Sequence, residues 1–394
     1  MHRRLHIAVT SAALALLVVQ AAPASESMLV GAAEDAAKSQ SLVAAKASMD
    51  LAKLAGFNAI RLTETWSPGQ SSPSADDLQA LNNAASAAQL DGIRVIVSVY
   101  PVGGRSVPLT PAARATFAEF AAAIARSNPL LQDFIVGNEP NLNRFWMPQY
   151  TPKRGDAAAP AYEAMLATTY DALKAVSSSI RVIGGAVSPH GEDRPRSIRP
   201  THSPTTFIRN LGRAYRKSGR AKPIMDAFAF HPYNTSSRIA PTARHPRSTT
   251  VALADYEKLV RLLGSAFART AQRGARLPIF YDEFGIQSRI PFEKESFYSG
   301  FDAPGASDAV PEDVQARYYR QALTLAACQP TVAGFLFFHV VDESDLGRWQ
   351  SGIYYADATP KTSFAPVKVA IDELAAGRLG RCGVPHGRSK PKHG

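Results

Sequence analysis

The chain has 394 residues, with 44 Lys and Arg against 33 Asp and Glu and a formal net charge of +11. The basic excess does not mark a nucleic-acid reader, because the arginines are scattered over helices and loops without aromatic stacking platforms or a recognition module. In chain order, an export signal comes first. His2-Arg3-Arg4-Leu5-His6, an apolar run over 7–19 and Ala22-Pro23-Ala24 supply its basic, hydrophobic and cleavage parts, so residues 1–24 are expected to be removed and the protein secreted. The apolar run is shorter than the roughly 20 residues that cross a bilayer and no later segment is long enough, so no membrane insertion is expected.

Short β-rich runs then alternate with helical periodicity. Strands are predicted at 28–31, 59–63, 94–99, 133–137, 181–186, 227–230, 278–281 and 334–338. Helices are predicted at 41–54, 75–89, 111–126, 161–177, 204–218, 253–272, 311–327 and 364–375, each with apolar residues at helical spacing. Such alternation implies parallel strands and right-handed crossovers, which a closed (β/α)8 barrel satisfies as a single domain over 25–384. An open doubly wound sheet fits the same order, but its Gly-rich first turn is missing after Gly31. The segments after strands four to seven are long (141–160, 188–203, 231–250 and 286–310), whereas returning turns such as 54–57 are tight. Long βα loops place the active site of a barrel at the C-terminal ends of its strands. Residues 385–394 are polar and basic, and a disordered tail is expected there.

Two of these strand ends carry a carboxylic acid. Residues 133–141 read DFIVGNEPN, with Glu139 where the fourth strand opens into its loop, and residues 278–285 read PIFYDEFG, with Glu283 in the matching place on the seventh. Period-two alternation puts Ile135, Gly137 and Glu139 on one face and Ile279, Tyr281 and Glu283 on one face, so both glutamates are expected to look into the barrel and Asp282 away from it. Two opposed carboxyls are the minimum equipment for cleaving a glycosidic bond.

The run NEPNLNRFW over 138–146, followed by a helix and by IRVIGGA over 180–186, resembles glycoside hydrolase family 39, with family 5 the next match. Both belong to clan A, the retaining glycosidases built on a (β/α)8 barrel. The clan-level resemblance spans nearly the whole chain after the signal; the family-level one is local to strands four and five. It implies a secreted O-glycosyl hydrolase that cleaves β-linked poly- or oligosaccharide with retention and without metal or cofactor, using Glu283 as nucleophile and Glu139 as acid/base. It further implies that Asn138 bonds the sugar 2-hydroxyl, that Arg61 holds the nucleophile ionised, and that His231 and Tyr233 touch the nucleophile or the glycon. The family usually shows a tryptophan on strand eight; GFLFFH over 334–339 has none, and Phe337 or His339 is expected in its place.

Other readings do not depend on the family. Trp66, Trp146 and Trp349 lie in βα loops or just beyond strand ends, where an indole face stacks on a pyranose. Arg194, Arg196, Arg199, Arg238, Arg244 and Arg247 in loops five and six make an anionic glycan one candidate substrate. Cys328 and Cys382 are an even pair in an exported chain and are expected to form a disulfide. A monomer is expected. The alternative function is a barrel that has lost catalysis and only binds carbohydrate. A metal-dependent barrel hydrolase lacks support, since strand one has no His-x-His pair and no zinc-type Cys/His spacing occurs.

Overall fold

A computed structural model describes residues 28–300, 308–379 and 382. The expected signal at 1–24 and tail at 385–394 lie outside the described residues. Eight parallel strands close in chain order: β1 (Leu29–Ala33), β2 (Ala59–Trp66), β3 (Arg94–Pro101), β4 (Asp133–Val136), β5 (Arg181–Val187), β6 (Ala227–Phe230), β7 (Ile279–Phe284) and β8 (Val332–Phe338). They alternate with α1 (Leu42–Leu54), α2 (Ala75–Asp91), α3 (Pro111–Ser127), α4 (Ala158–Val176), α5 (Pro204–Ser218), α6 (Tyr256–Ala266), α7 (Glu312–Ala327) and α8 (Phe364–Ala375). This is the (β/α)8 barrel that the alternation implies.

Helix ends follow local chemistry. Ser41, Ser74, Thr110 and Ser203 each accept a backbone amide as N-cap, and Gly92 and Gly219 end α2 and α5 with φ of +67°. The expected sixth helix is shorter than its periodicity implies, being a 3-10 turn at Leu253–Asp255 and then α6. Tertiary demand ends it early: the Gln272 side chain is needed to accept the buried amides of Ile224 (2.9 Å) and Met225 (3.2 Å). Strand β2 runs past its expected end as far as Trp66, which pairs with Pro101 of β3.

Side chains form two cores. The larger lies between strands and helices, and the smaller fills the barrel with Ala59, Ile96, Ile135, Ile183, Ala227, Ala229, Phe280 and Leu336, among others. Two residues beyond Ala59, Ile96, Ala229 and Phe280 come Arg61, Ser98, His231 and Asp282, all buried. The two-residue period of a strand thus stacks a polar layer directly on the apolar plug.

Two links tie elements together away from that layer. Asp133 at the start of β4 is buried between Arg94 of β3 and Arg181 of β5, with Arg181 Nε 2.5 Å away. Cys328 at the end of α7 is bonded to Cys382, with Cα atoms 5.3 Å apart. No helix among the described residues is long and apolar enough to cross a membrane.

Candidate active site

Both glutamates reach one cleft, but strand alternation does not bring them there. Strand β4 stops at Val136, and Gly137 then turns the chain with φ of +92°, where a Cβ would stand 2.7 Å from the Tyr162 ring. Only glycine fits that turn. It sends Asn138 inward, and Glu139 follows with φ of +38°, its amide donating to the Ala186 carbonyl at 2.8 Å. Asn141 fastens the loop behind it: the side chain accepts from Ser188 N (2.9 Å) and donates to the carbonyls of Ser188, His190 and His202.

On β7 the expected parity is reversed. Phe280 belongs to the barrel plug, while Ile279 and Tyr281 face the helices, and Tyr281 donates to Gln329 at 2.7 Å. The register with β8 shifts between Tyr281 and Phe284, and at that irregularity both Asp282 and Glu283 turn toward the axis. Asp282, expected to face away, is fully buried in the polar layer.

Arg61 and His231 link the acids. Arg61 donates to Glu283 Oε1 at 2.6 Å, lies 3.5 Å from Asp282 Oδ2, and also reaches Ser98 Oγ (3.1 Å) and Asn138 Oδ1 (3.3 Å). His231 places Nδ1 3.1 Å from Glu139 Oε1 and 3.5 Å from Glu283 Oε2, and Nε2 3.3 Å from Asp282 Oδ2. Tyr233 donates to Glu283 Oε2 at 3.3 Å. Two cations therefore sit among three carboxyl groups.

That arrangement sets the protonation of the layer. Burial alone drives His231 down, but the charges of Glu283 and Asp282 and the hydrogen bonds to Asp282 and Glu139 outweigh it and raise its pKa to about 10. Burial alone raises Asp282, yet His231 and Arg61 hold it below the ordinary carboxylate value. Burial also opposes the charge on Arg61, and Glu283 and Asp282 more than reverse that. The Tyr233 phenol, half-buried on the cleft, is pushed well above its usual value by desolvation and by the neighbouring charges of Glu283 and Glu139, and stays a neutral donor.

No family model and no curated protein matches the sequence. Solved structures do match. A family 39 glycoside hydrolase from the gut symbiont Bacteroides cellulosilyticus WH2 superposes with a TM-score of 0.60 at 17% identity, over 90% of this chain and 64% of that one. A variant of a family 5 (subfamily 18) glycoside hydrolase from Streptomyces cattleya, in complex with Manβ1-4GlcNAc, gives 0.59 at 16% identity over 88% and 81%. A monomeric β-xylosidase from Caulobacter crescentus gives 0.54 at 16% over 89% and 69%. The chain has the fold of glycoside hydrolase barrels. The first two neighbours come from the families that its motifs resemble, and the chain spans 64% of the length of the first.

In this barrel the cleft over the polar layer has a volume of about 940 Å³. Among the expected site residues it is lined by Glu139, Glu283, Asn138, Arg61, Tyr233, His339 and Trp349, while His231 lies buried in its floor. Trp349 packs on Tyr233 (5.6 Å between centroids) and Phe338 (5.3 Å). His339 has φ of +78° and lies 4.2 Å from the Phe338 ring, with Nε2 3.7 Å from Glu343 Oε2.

Three expectations are corrected. Trp66 and Trp146 are each 1% exposed and offer no face to a sugar. Trp66 donates to Gln70 O and packs edge-on against Phe117; Trp146 packs edge-on against Tyr162. Of the two residues expected in place of the missing tryptophan, Phe337 points outward onto Phe57 and Tyr319, whereas His339, just past the end of β8, lines the cleft together with Phe338. None of the six loop arginines lines it; among the described residues its cations are Arg61, Arg144 and Arg348, faced by Glu34, Asp35, Asp308 and Glu343 as well as the two glutamates. In loop five, Asp193 accepts from Ser203 and Thr206 at the start of α5, which ties the loop to that helix end.

Three residues of the site carry no expectation in the sequence: Ser98, which accepts from Arg61, and Tyr100 and Phe338, which line the cleft. A serine inside the apolar run of 95–99 was a usable signal for Ser98, since a polar residue within a buried strand needs a partner. The aromatic run of β8 has no alternation and hid which ring faces inward.

Proposed function

We propose that this chain is a retaining β-glycosidase acting on poly- or oligosaccharide outside the cell, with Glu283 as nucleophile and Glu139 as acid/base. One observation carries the reading: His231 Nδ1 lies within 3.1 Å of Glu139 and 3.5 Å of Glu283. Those two oxygens are therefore no farther apart than the distances combined, under about 7 Å, which suits the close pair of a retaining enzyme (about 5–5.5 Å) better than the wide pair of an inverting one (about 6.5–9.5 Å).

The neighbouring side chains favour these roles. Arg61 and Tyr233 each donate to one oxygen of Glu283, which fixes the carboxyl in place and aims it at an anomeric carbon. Among the described residues Glu139 has no such guanidinium partner; it faces the same cleft and is suited to give a proton to the leaving oxygen and then take one from water. The Asn138 carbonyl is occupied by Arg61, leaving its amide to donate to a sugar hydroxyl, a bond that strengthens as charge develops in the transition state. Trp349 offers a stacking face at the cleft.

The test uses one activated aryl glycoside and one natural-type glycan, with mass spectrometry for the covalent adduct. Glu283→Ala should form no adduct, and azide should restore turnover with inverted configuration. Glu139→Ala should lose about 10²–10⁴-fold on substrates with poor leaving groups while still forming the adduct from the activated one. Equal, modest losses at both positions, or wild-type protein that binds glycans and cleaves none across a broad panel, would overturn the reading in favour of a binding barrel.

A further inference from the structure

The His231 ring is held between acceptors on both sides. Its Nε2 faces Asp282 Oδ2 at 3.3 Å, and its Nδ1 faces Glu139 Oε1 at 3.1 Å and Glu283 Oε2 at 3.5 Å. A neutral imidazole has one N–H and one lone pair, so it can donate to only one side. With the N–H toward Asp282, the bare Nδ1 would accept the Glu139 proton and withdraw it from the cleft.

Asp282 is the element of this cluster that packing does not explain. It is fully buried, one of its oxygens serves both His231 and Arg61, and the other, Oδ1, has no hydrogen-bond partner among the described residues. An unpaired buried carboxylate oxygen carries a desolvation cost, set against what the other oxygen gains from Arg61 and His231. Such a group persists where it does something to its neighbours.

We propose that Asp282 is a positioning residue that keeps His231 doubly protonated, so that the Nδ1–H is shared between Glu139 and Glu283. The proposal rests on the glycosidase reading of this cleft. The imidazolium steadies the two carboxyls in register and leaves the Glu139 proton free to face a leaving group. The charged groups around the ring divide clearly. Asp282 and Glu283 from β7 and Glu139 from the β4 loop favour its charge, Arg61 from β2 behind Asp282 opposes it, and Tyr233 on its own loop is neutral. The cluster accordingly holds His231 cationic well into the alkaline range.

The experiment is an NMR titration of the His231 ring in the whole folded protein, paired with the pH profile of kcat/KM. Wild-type His231 should remain an imidazolium through neutrality. In Asp282→Asn the His231 midpoint should fall by about one pH unit or more, and the alkaline limb of kcat/KM should move down with it while the acid limb stays. In a His231→Asn background, Asp282→Asn should no longer move the alkaline limb. A wild-type midpoint near the ordinary histidine value would overturn the proposal, as would Asp282→Asn activity lowered equally at every pH with an unmoved limb. The wild-type titration decides even if the variant does not fold. It reads the ring without turnover, so a protein that cleaves nothing refutes the glycosidase reading while His231 is still measured.

Discussion

Trp66 and Trp349 show how one residue type serves opposite ends at the scale of single side chains. Trp66 is sealed under Phe117 with its indole N–H bonded to Gln70 O, so its whole area counts toward the core. Trp349 stands at the cleft against Tyr233. Trp66→Ala should therefore cost about 3–5 kcal/mol, read from urea denaturation, with KM nearly unchanged. Trp349→Ala should do the reverse, raising KM several-fold with a Tm close to wild type. Spacing could not separate the two, because exposure is decided by what packs above a residue.

At the scale of elements, the join between β4 and β5 decides where Glu139 goes. Tyr162 of α4 donates to the Val136 carbonyl at 2.7 Å and accepts from the Gly185 amide at 2.6 Å. These are the last residue of β4 and the start of the β5 bulge, whose next residue, Ala186, has φ of +46° and accepts from the Glu139 amide. One hydroxyl thus braces the irregular backbone that carries the acid. Tyr162→Phe should leave both buried backbone groups unpaired at about 1–3 kcal/mol each. Its urea midpoint should drop, and kcat should fall more than KM rises, because Glu139 is displaced. Gly137→Ala is expected to be worse, since its Cβ would meet the same ring at 2.7 Å with φ of +92°.

Over the whole molecule, closure comes from sheet, charge and one covalent link. The Cys328–Cys382 bond spans 54 residues and, by restricting the unfolded chain, stabilises by about 4 kcal/mol. The double Cys→Ser variant should show that drop in the urea midpoint, with activity at room temperature little changed because the bond lies outside the cleft. The polar layer makes stability depend on pH in a stated direction. His231 is raised from 6.5 to about 10 on folding, so its contribution is complete below about pH 6.5 and is lost as pH rises through about 10. Asp282 is held below 3.8, so its contribution is present above that value and is lost as pH falls through the depressed one. Urea midpoints measured from pH 5 to 10 should decline above about pH 6.5 in wild type, and the curve for His231→Asn should be flatter over that window.

The eight strands and eight helices, their order and the placing of Glu139, Glu283, Arg61, His231 and Tyr233 around one end of the barrel were determined by the sequence. Local periodicity suffices for the elements and their order, because a parallel strand–helix alternation has few ways to close, strand-end motifs mark the two glutamates, and the family resemblance implies the places of Arg61, His231 and Tyr233. Which way individual side chains point was not. The inward turn of Asp282 depends on a register shift against β8, the position of Glu139 on positive-φ backbone after Gly137, and the burial of Trp66 and Trp146 on rings contributed by α3 and α4. Alternation holds only while a strand stays regular, and the site is built where β4, β5 and β7 stop being so. Burial, register and charge sharing are properties of neighbours distant in sequence, so only the tertiary structure decided them.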